Sequence, residues 1–176
     1  MKGTALILGL VALAGSTAIQ ARDLLVRFDG GVGVIPASAG AGPLNADGIT
    51  LPNVRPNVVR NVQPGAGPWR IADLRAEVDV DGRIRVRGRG LLLASGNGIG
   101  TNAGQSVFAT LICESMPPFN EHSTSRTGVA LDPNGDFRID DVLDSVPVEC
   151  ASPVLLIRNV TAGVWFAAGL PRFGDD

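Results

Sequence analysis

The stretch Glu77–Ala94, EVDVDGRIRVRGRGLLLA, constrains the fold more than any other part of the chain. It joins a turn, a strict alternation and a solid apolar run, and period-two alternation is the mark of a strand with one greasy and one wet face. Asp81-Gly82 signals a hairpin turn between two β-rich runs. A two-residue loop at Asp81-Gly82 would set Val80 opposite Arg83 and Val78 opposite Arg85, mixing valine with arginine on each face. A three-residue loop, Asp81 to Arg83, sets Val80 opposite Ile84 and Val78 opposite Val86, which gathers the apolar side chains on one face. In that register Asp79 faces Arg85 and Glu77 faces Arg87, opposite-charge pairs worth roughly 0.2–1 kcal/mol each. Arg83, Arg85, Arg87 and Arg89 then form a comb on the wet face. A comb of guanidiniums is a candidate interaction surface for a polyanion; the plainer account is a solvated face whose charges are half cancelled by Glu77 and Asp79.

Compartment follows from the N-terminus and the cysteines. Residues 1–21 read as a secretory signal peptide. Lys2 gives the positive start, Ala5–Gly15 an apolar core too short to span a bilayer, and small residues lead to cleavage after Ala21, with Ala18 as the alternative. No later stretch is apolar for long enough to cross a membrane, so the mature chain is expected to be secreted or periplasmic, and bacterial by its signal and composition. Cys113 and Cys150, an even pair in an exported chain, are expected to form one disulfide. The formal net charge is −2, which argues against nucleic acid as a partner, and removing Lys2 with the signal makes the mature chain more acidic.

The 176 residues suit one domain. Residues 22–68 begin with a strand candidate, Arg22–Phe28, which Asp29-Gly30-Gly31 breaks. A Gly/Pro-rich arm follows to Pro68, with Ala37–Gly48 as the piece expected to be disordered. Residues 69–171 form the folded domain and 172–176 a C-terminal tail. Within the domain the strand candidates are Arg70–Val80, Arg83–Ala94, Gln105–Glu114, Arg126–Leu131, Asp136–Val142, Pro153–Asn159 and Gly163–Ala168. About seven short strands with regular turns and no helical period favour an all-β fold, an antiparallel β-sandwich of immunoglobulin or transthyretin-like form, with a small β-barrel as the alternative. Asp132-Pro133-Asn134-Gly135 is a second strong turn and sets Leu131 opposite Phe137 and Val129 opposite Ile139. Leu91–Ala94 and Val154–Ile157 are apolar on both faces and must be covered on both, by the arm or by a homo-oligomer or other partner.

Residues able to carry chemistry are few. Ser95–Gly104 is glycine-rich but lacks the following helix of a phosphate loop. Asp132, Asn134 and Asp136 have the opening spacing of a calcium loop, but Phe137 and Leu143 stand where an EF-hand needs glycine and glutamate. Asp140, Asp141 and Asp144 form an acidic cluster. His122 is the only histidine; it lies in a hydroxyl-rich loop read as exposed, and one histidine excludes multi-histidine metal sites. Trp165 reads as core, while Trp69, between Pro68 and Arg70, joins the arginine comb as a candidate interaction residue. Asn159-Val160-Thr161 matches a glycosylation sequon. No catalytic residue, cofactor or metal ligand is assigned.

The run Ala109–Arg158 resembles exported sandwich modules of the transthyretin-like or carboxypeptidase-regulatory kind. Its matching parts are a cysteine-bearing strand (Ala109–Cys113), the turn-centred Leu131–Ile139, and a cysteine before a final apolar strand. The resemblance covers about 50 residues, mostly turn chemistry, and transfers no functional residue. The expected function is an exported, non-enzymatic β-sandwich protein with an interaction or structural role in the periplasm, envelope or extracellular space. The alternatives are a secreted hydrolase using carboxylates and a fimbrial-type subunit whose arm is a donated strand.

Overall fold

The computed structural model describes residues 23–44 and 50–173; the proposed signal peptide lies outside them. The strands are β1 (Leu24–Gly33), β2 (Ala37–Leu44), β3 (Thr50–Pro56), β4 (Trp69–Arg70), β5 (Asp73–Asp79), β6 (Arg83–Arg89), β7 (Leu92–Leu93), β8 (Ser106–Ile112), β9 (His122–Ser123), β10 (Val129–Ala130), β11 (Phe137–Val142), β12 (Val154–Asn159) and β13 (Trp165–Arg172). The main sheet runs β10-β8-β12-β13-β1-β5-β6-β11, with β9 also on β8, and its ladders are antiparallel. Its two edge strands, β10 and β11, are consecutive in the chain. The sheet therefore curls round until its edges approach, giving the all-β sandwich- or barrel-like form expected from the alternation.

Both hairpin turns use a glycine to end a three-residue loop. The Gly82 amide donates to the Asp79 carbonyl at 3.0 Å and Gly82 has φ +83°. The loop is thus Val80–Gly82, one residue earlier than expected, because the left-handed position of such a loop is its last. The slip moves each cross-strand partner by two, so the greasy and wet faces are unchanged but the pairs are not. Val78 lies opposite Ile84, Ala76 opposite Val86, Glu77 opposite Arg85 and Arg75 opposite Arg87. Val80 sits at the turn, half exposed. The Asp132–Gly135 turn forms as expected, with Gly135 donating to Asp132 at 2.8 Å and Asp132 to Asp136 at 2.9 Å. Beyond it the hairpin splays: the Leu131 amide goes to the Gln105 carbonyl, so β10 joins β8 while β11 joins β6.

Further corrections follow from backbone geometry. Gly30, at φ +96°, sits in a bulge that lets β1 continue past Asp29-Gly30-Gly31 to Gly33 instead of ending at Phe28. The run Arg83–Ala94 is not one strand. Gly90, at φ +63°, turns the chain out of β6, and Leu92–Leu93 pair instead with Trp69–Arg70. β13 runs on through Pro171 to Arg172, a residue placed in the tail by the sequence. Residues 37–44, read as disordered, form β2 and pair with β3; residues 45–49 lie outside the described residues.

The interior is filled from every strand of the curl, with Phe28, Leu74, Val78, Ile84, Leu91, Leu111, Leu155 and Ile157 fully buried. Val34 and Val62 of the arm join this core. Val34 donates to the Phe166 carbonyl, Gly65 to Trp165, and Trp165 to Gln63, all at 2.9 Å. The arm thus extends the free edge of β13 beyond β1 and supplies part of the cover that the apolar strands demand. Cys113 and Cys150 are disulfide-bonded, tying the end of β8 to the approach to β12.

Candidate functional site

The wet face of β1, β5, β6 and β11 carries charge in rows, because residues in register on neighbouring antiparallel strands stand side by side. One row reads Arg27, Glu77, Arg85, Asp140, alternating in sign. Its members pair: Arg27–Glu77 at 3.3 Å and Arg85–Glu77 at 3.5 Å, with Arg85 also reaching the buried Asp79 at 3.0 Å. The next row reads Asp29, Arg75, Arg87, Arg138. Three arginines stand abreast there with one acid at the end. Asp29 holds Arg75 at 3.5 Å and Arg172 at 3.6 Å. Among the described residues Arg87 and Arg138 have no ion-pair partner.

These rows line an open groove of about 490 Å³ whose walls are Arg27, Asp29, Arg75, Glu77, Arg85, Arg87 and Arg172 over the backbone of Phe28 and Ala76. Five guanidiniums face two carboxylates on a chain that is acidic overall. Like charges directly opposite each other destabilise a sheet, so the Arg75–Arg87–Arg138 row is a local cost to the fold. Both groove acids are occupied in fixing arginines: Asp29 bridges Arg75 and Arg172, and Glu77 bridges Arg27 and Arg85.

Of the comb expected from the sequence, Arg85 and Arg87 line the groove, while Arg83 and Arg89 lie beyond its ends. The expected Glu77–Arg87 pair does not form, since the loop, one residue earlier than expected, sets Glu77 against Arg85. Arg27, Arg75 and Arg172 carry no local signal in the sequence; the order β13-β1-β5-β6 brings them together. Trp69 is not a surface residue. It is buried and stacks on Phe166 with ring centroids 4.1 Å apart.

His122, read as an exposed loop residue, is 8% exposed on β9, and its Nδ1 lies 3.0 Å from the Ser145 carbonyl and 2.8 Å from Ser145 Oγ. A carbonyl only accepts, so both contacts are met together when Nδ1 carries the proton and the Ser145 hydroxyl turns to Asp144 Oδ1, 3.2 Å away. The geometry is that of a structural histidine. In the same loop, Glu114 accepts from the Asn120 side chain at 2.7 Å, which holds its carboxyl below the ordinary range. Arg158, nearly buried, lies over Phe108 and pairs with Glu121 at 2.6 Å, sealing the outer face of β8 and β12.

The remaining motifs are consumed by the fold. Asp136 Oδ1 accepts from the Gly90 amide and Asn134 Oδ1 from the Asp136 amide, so these groups hold the turn. Asp141 and Asp144 accept from the amides of Ser125 and Ser123, stitching the β9 side of the curl to the β11 side. No group of three or more His, Cys, Asp or Glu suited to a metal occurs among the described residues. Asn159 of the sequon is buried, donating to Gln105 and accepting from the Ala162 amide. Comparison with protein-family models, curated proteins and solved structures finds no match for this chain.

Proposed function

We propose that this is an exported, non-enzymatic β protein that acts by binding, through the arginine-lined face of β1, β5 and β6, in the periplasm, envelope or extracellular space. The observation that carries this reading is the groove itself. Five arginines converge there from four strands, at a cost in like-charge repulsion that the fold does not need. A disulfide and the absence, among the described residues, of a helix long and apolar enough to cross a membrane are compatible with export. A hydrolase would need an acid free to give or take a proton at the reacting bond, whereas both groove carboxylates are tied to two arginines each.

Fractionation of cells that export the protein tests this. The wild type is expected to co-sediment with the envelope at low ionic strength and to be released at about 0.5 M salt, where surface electrostatics are screened. The double variant Arg75→Gln/Arg87→Gln is expected in the soluble fraction at every ionic strength. An identical distribution of the two proteins would refute binding through this face.

A further inference from the structure

We infer that the groove is a binding site for a saccharide bearing a sulfate or phosphate ester, a deeper claim that rests on the binding role proposed above. Three observations narrow the ligand. Arg75 and Arg87 stand directly opposite each other on β5 and β6; Arg75 is held through Nε by Asp29 at 3.5 Å and Asp73 at 3.7 Å, while Arg87 has no ion-pair partner among the described residues. Two adjacent guanidinium forks match the spread oxygens of a tetrahedral oxyanion, which each fork can hold with two parallel hydrogen bonds. The groove is also not purely cationic. Asp29 and Glu77 stand in its walls, and each carboxylate, although it bridges two arginines, keeps further lone pairs that accept from hydroxyl donors. A ligand presenting both an oxyanion and hydroxyls satisfies both kinds of wall; a carboxylate polymer without hydroxyls satisfies one.

The third observation excludes a neighbouring class. Single-stranded nucleic acid is held by aromatic platforms beside the basic groove. The one aromatic residue lining this groove is Phe28, 1% exposed, with its ring in the core. Bases find no aromatic platform there. The groove suits an extended oligosaccharide laid across β1, β5 and β6, with an ester group at the Arg75–Arg87 centre and the ion-paired Arg27, Arg85 and Arg172 around it.

Titration calorimetry of the full mature chain tests the inference, with a heparin octasaccharide and glucose 6-phosphate as probes and the desulfated octasaccharide and polyglutamate as comparators. The octasaccharide or the sugar phosphate is expected to bind, and which of the two is tighter distinguishes sulfate from phosphate. Arg75→Gln and Arg87→Gln are each expected to weaken binding about tenfold, the loss of a charge-assisted contact. Arg83→Gln and Arg89→Gln, on the same face of β6 but outside the groove, are expected to leave it within about twofold. Cooperative unfolding with midpoints no lower than the wild type's shows that each variant is folded. Ester-saccharide binding that survives the double variant Arg75→Gln/Arg87→Gln overturns the site. Polyglutamate bound as tightly as the octasaccharide, and lost in that variant, overturns the saccharide class while leaving the binding face intact. No binding by either ester probe overturns the ligand assignment, and the fractionation result then stands or falls separately.

Discussion

Replacing Arg87 by glutamate should stabilise the fold while abolishing its proposed binding. Arg87 lies directly opposite Arg75 on one side and Arg138 on the other. Each such cross-strand charge pair is worth roughly 0.2–1 kcal/mol, unfavourable for like charges and favourable for opposite ones. Arg87→Glu inverts the sign of two pairs at once. The side chains are well solvated, Arg75 being 69% exposed, which holds each term near its lower bound. The net gain is about 1 kcal/mol at low salt, or about 2–4 °C in Tm for a chain of this size. Arg87→Gln, which removes the repulsion without adding attraction, should give about half. The assay is calorimetric or urea unfolding in roughly 20 mM and 1 M sodium chloride. Most of the gain should vanish in the latter, where the Debye length is about 3 Å. A lower Tm for Arg87→Glu would mean that Arg87 is held by favourable contacts, and a gain indifferent to salt that like-charge repulsion is not its source; either result refutes Arg87 as the unmet centre of the groove.

Two further outcomes follow from other parts of the molecule. The Cys113–Cys150 bond closes a separation of 37 residues, so Cys113→Ala/Cys150→Ala should cost up to roughly 4 kcal/mol in the chain-entropy model, read as a lower urea midpoint, and the exported wild type should contain no titratable thiol; two free thiols would refute the pairing. Glu114, held below its ordinary pKa of 4.5 chiefly by the Asn120 side chain, has a folded pKa lower than its unfolded one, so its contribution is present above about pH 4.5 and is lost as pH falls through the folded value. Asn120→Ala should move the Glu114 carboxyl back up towards 4.5 in an NMR titration and flatten that acid limb; an unmoved titration would show that the Asn120 amide is not the cause.

How much of this was legible beforehand depends on the range of the signal. The faces of β5 and β6 were legible, because alternation is local and a slip of two residues preserves it. The pairing across them was not, because it hinges on which loop residue takes the left-handed conformation. Gly82 could have decided this, since a glycine that closes a three-residue loop belongs at its end. The sheet partner of Leu92–Leu93 was hidden for a different reason. Period-two reading has no means of marking the point where Gly90 leaves one sheet for another, although a lone glycine between an alternating and a solid run is the kind of place where that happens. The burial of His122 has no local signal: Pro117 and Pro118 nearby suggest a surface loop, and its contact with Ser145 is long-range.

The chain by itself determined the all-β class, the disulfide partners, the presence of turns at Asp81-Gly82 and Asp132–Gly135, and the presence of an arginine comb after Asp81-Gly82. Each rests on local chemistry: side-chain period, cysteine count, turn residues. Only the tertiary structure decided what the comb is for. Arg83 to Arg89 alone are a striped strand, half neutralised by Glu77 and Asp79. The curled order β13-β1-β5-β6 adds Arg27, Arg75 and Arg172 from three other strands, and the one-residue change in the turn moves Glu77 from Arg87 to Arg85. Charge cancels or accumulates over a few ångströms. A sheet register, which sets those distances across strands remote in sequence, therefore makes the difference between a neutral face and a cationic groove.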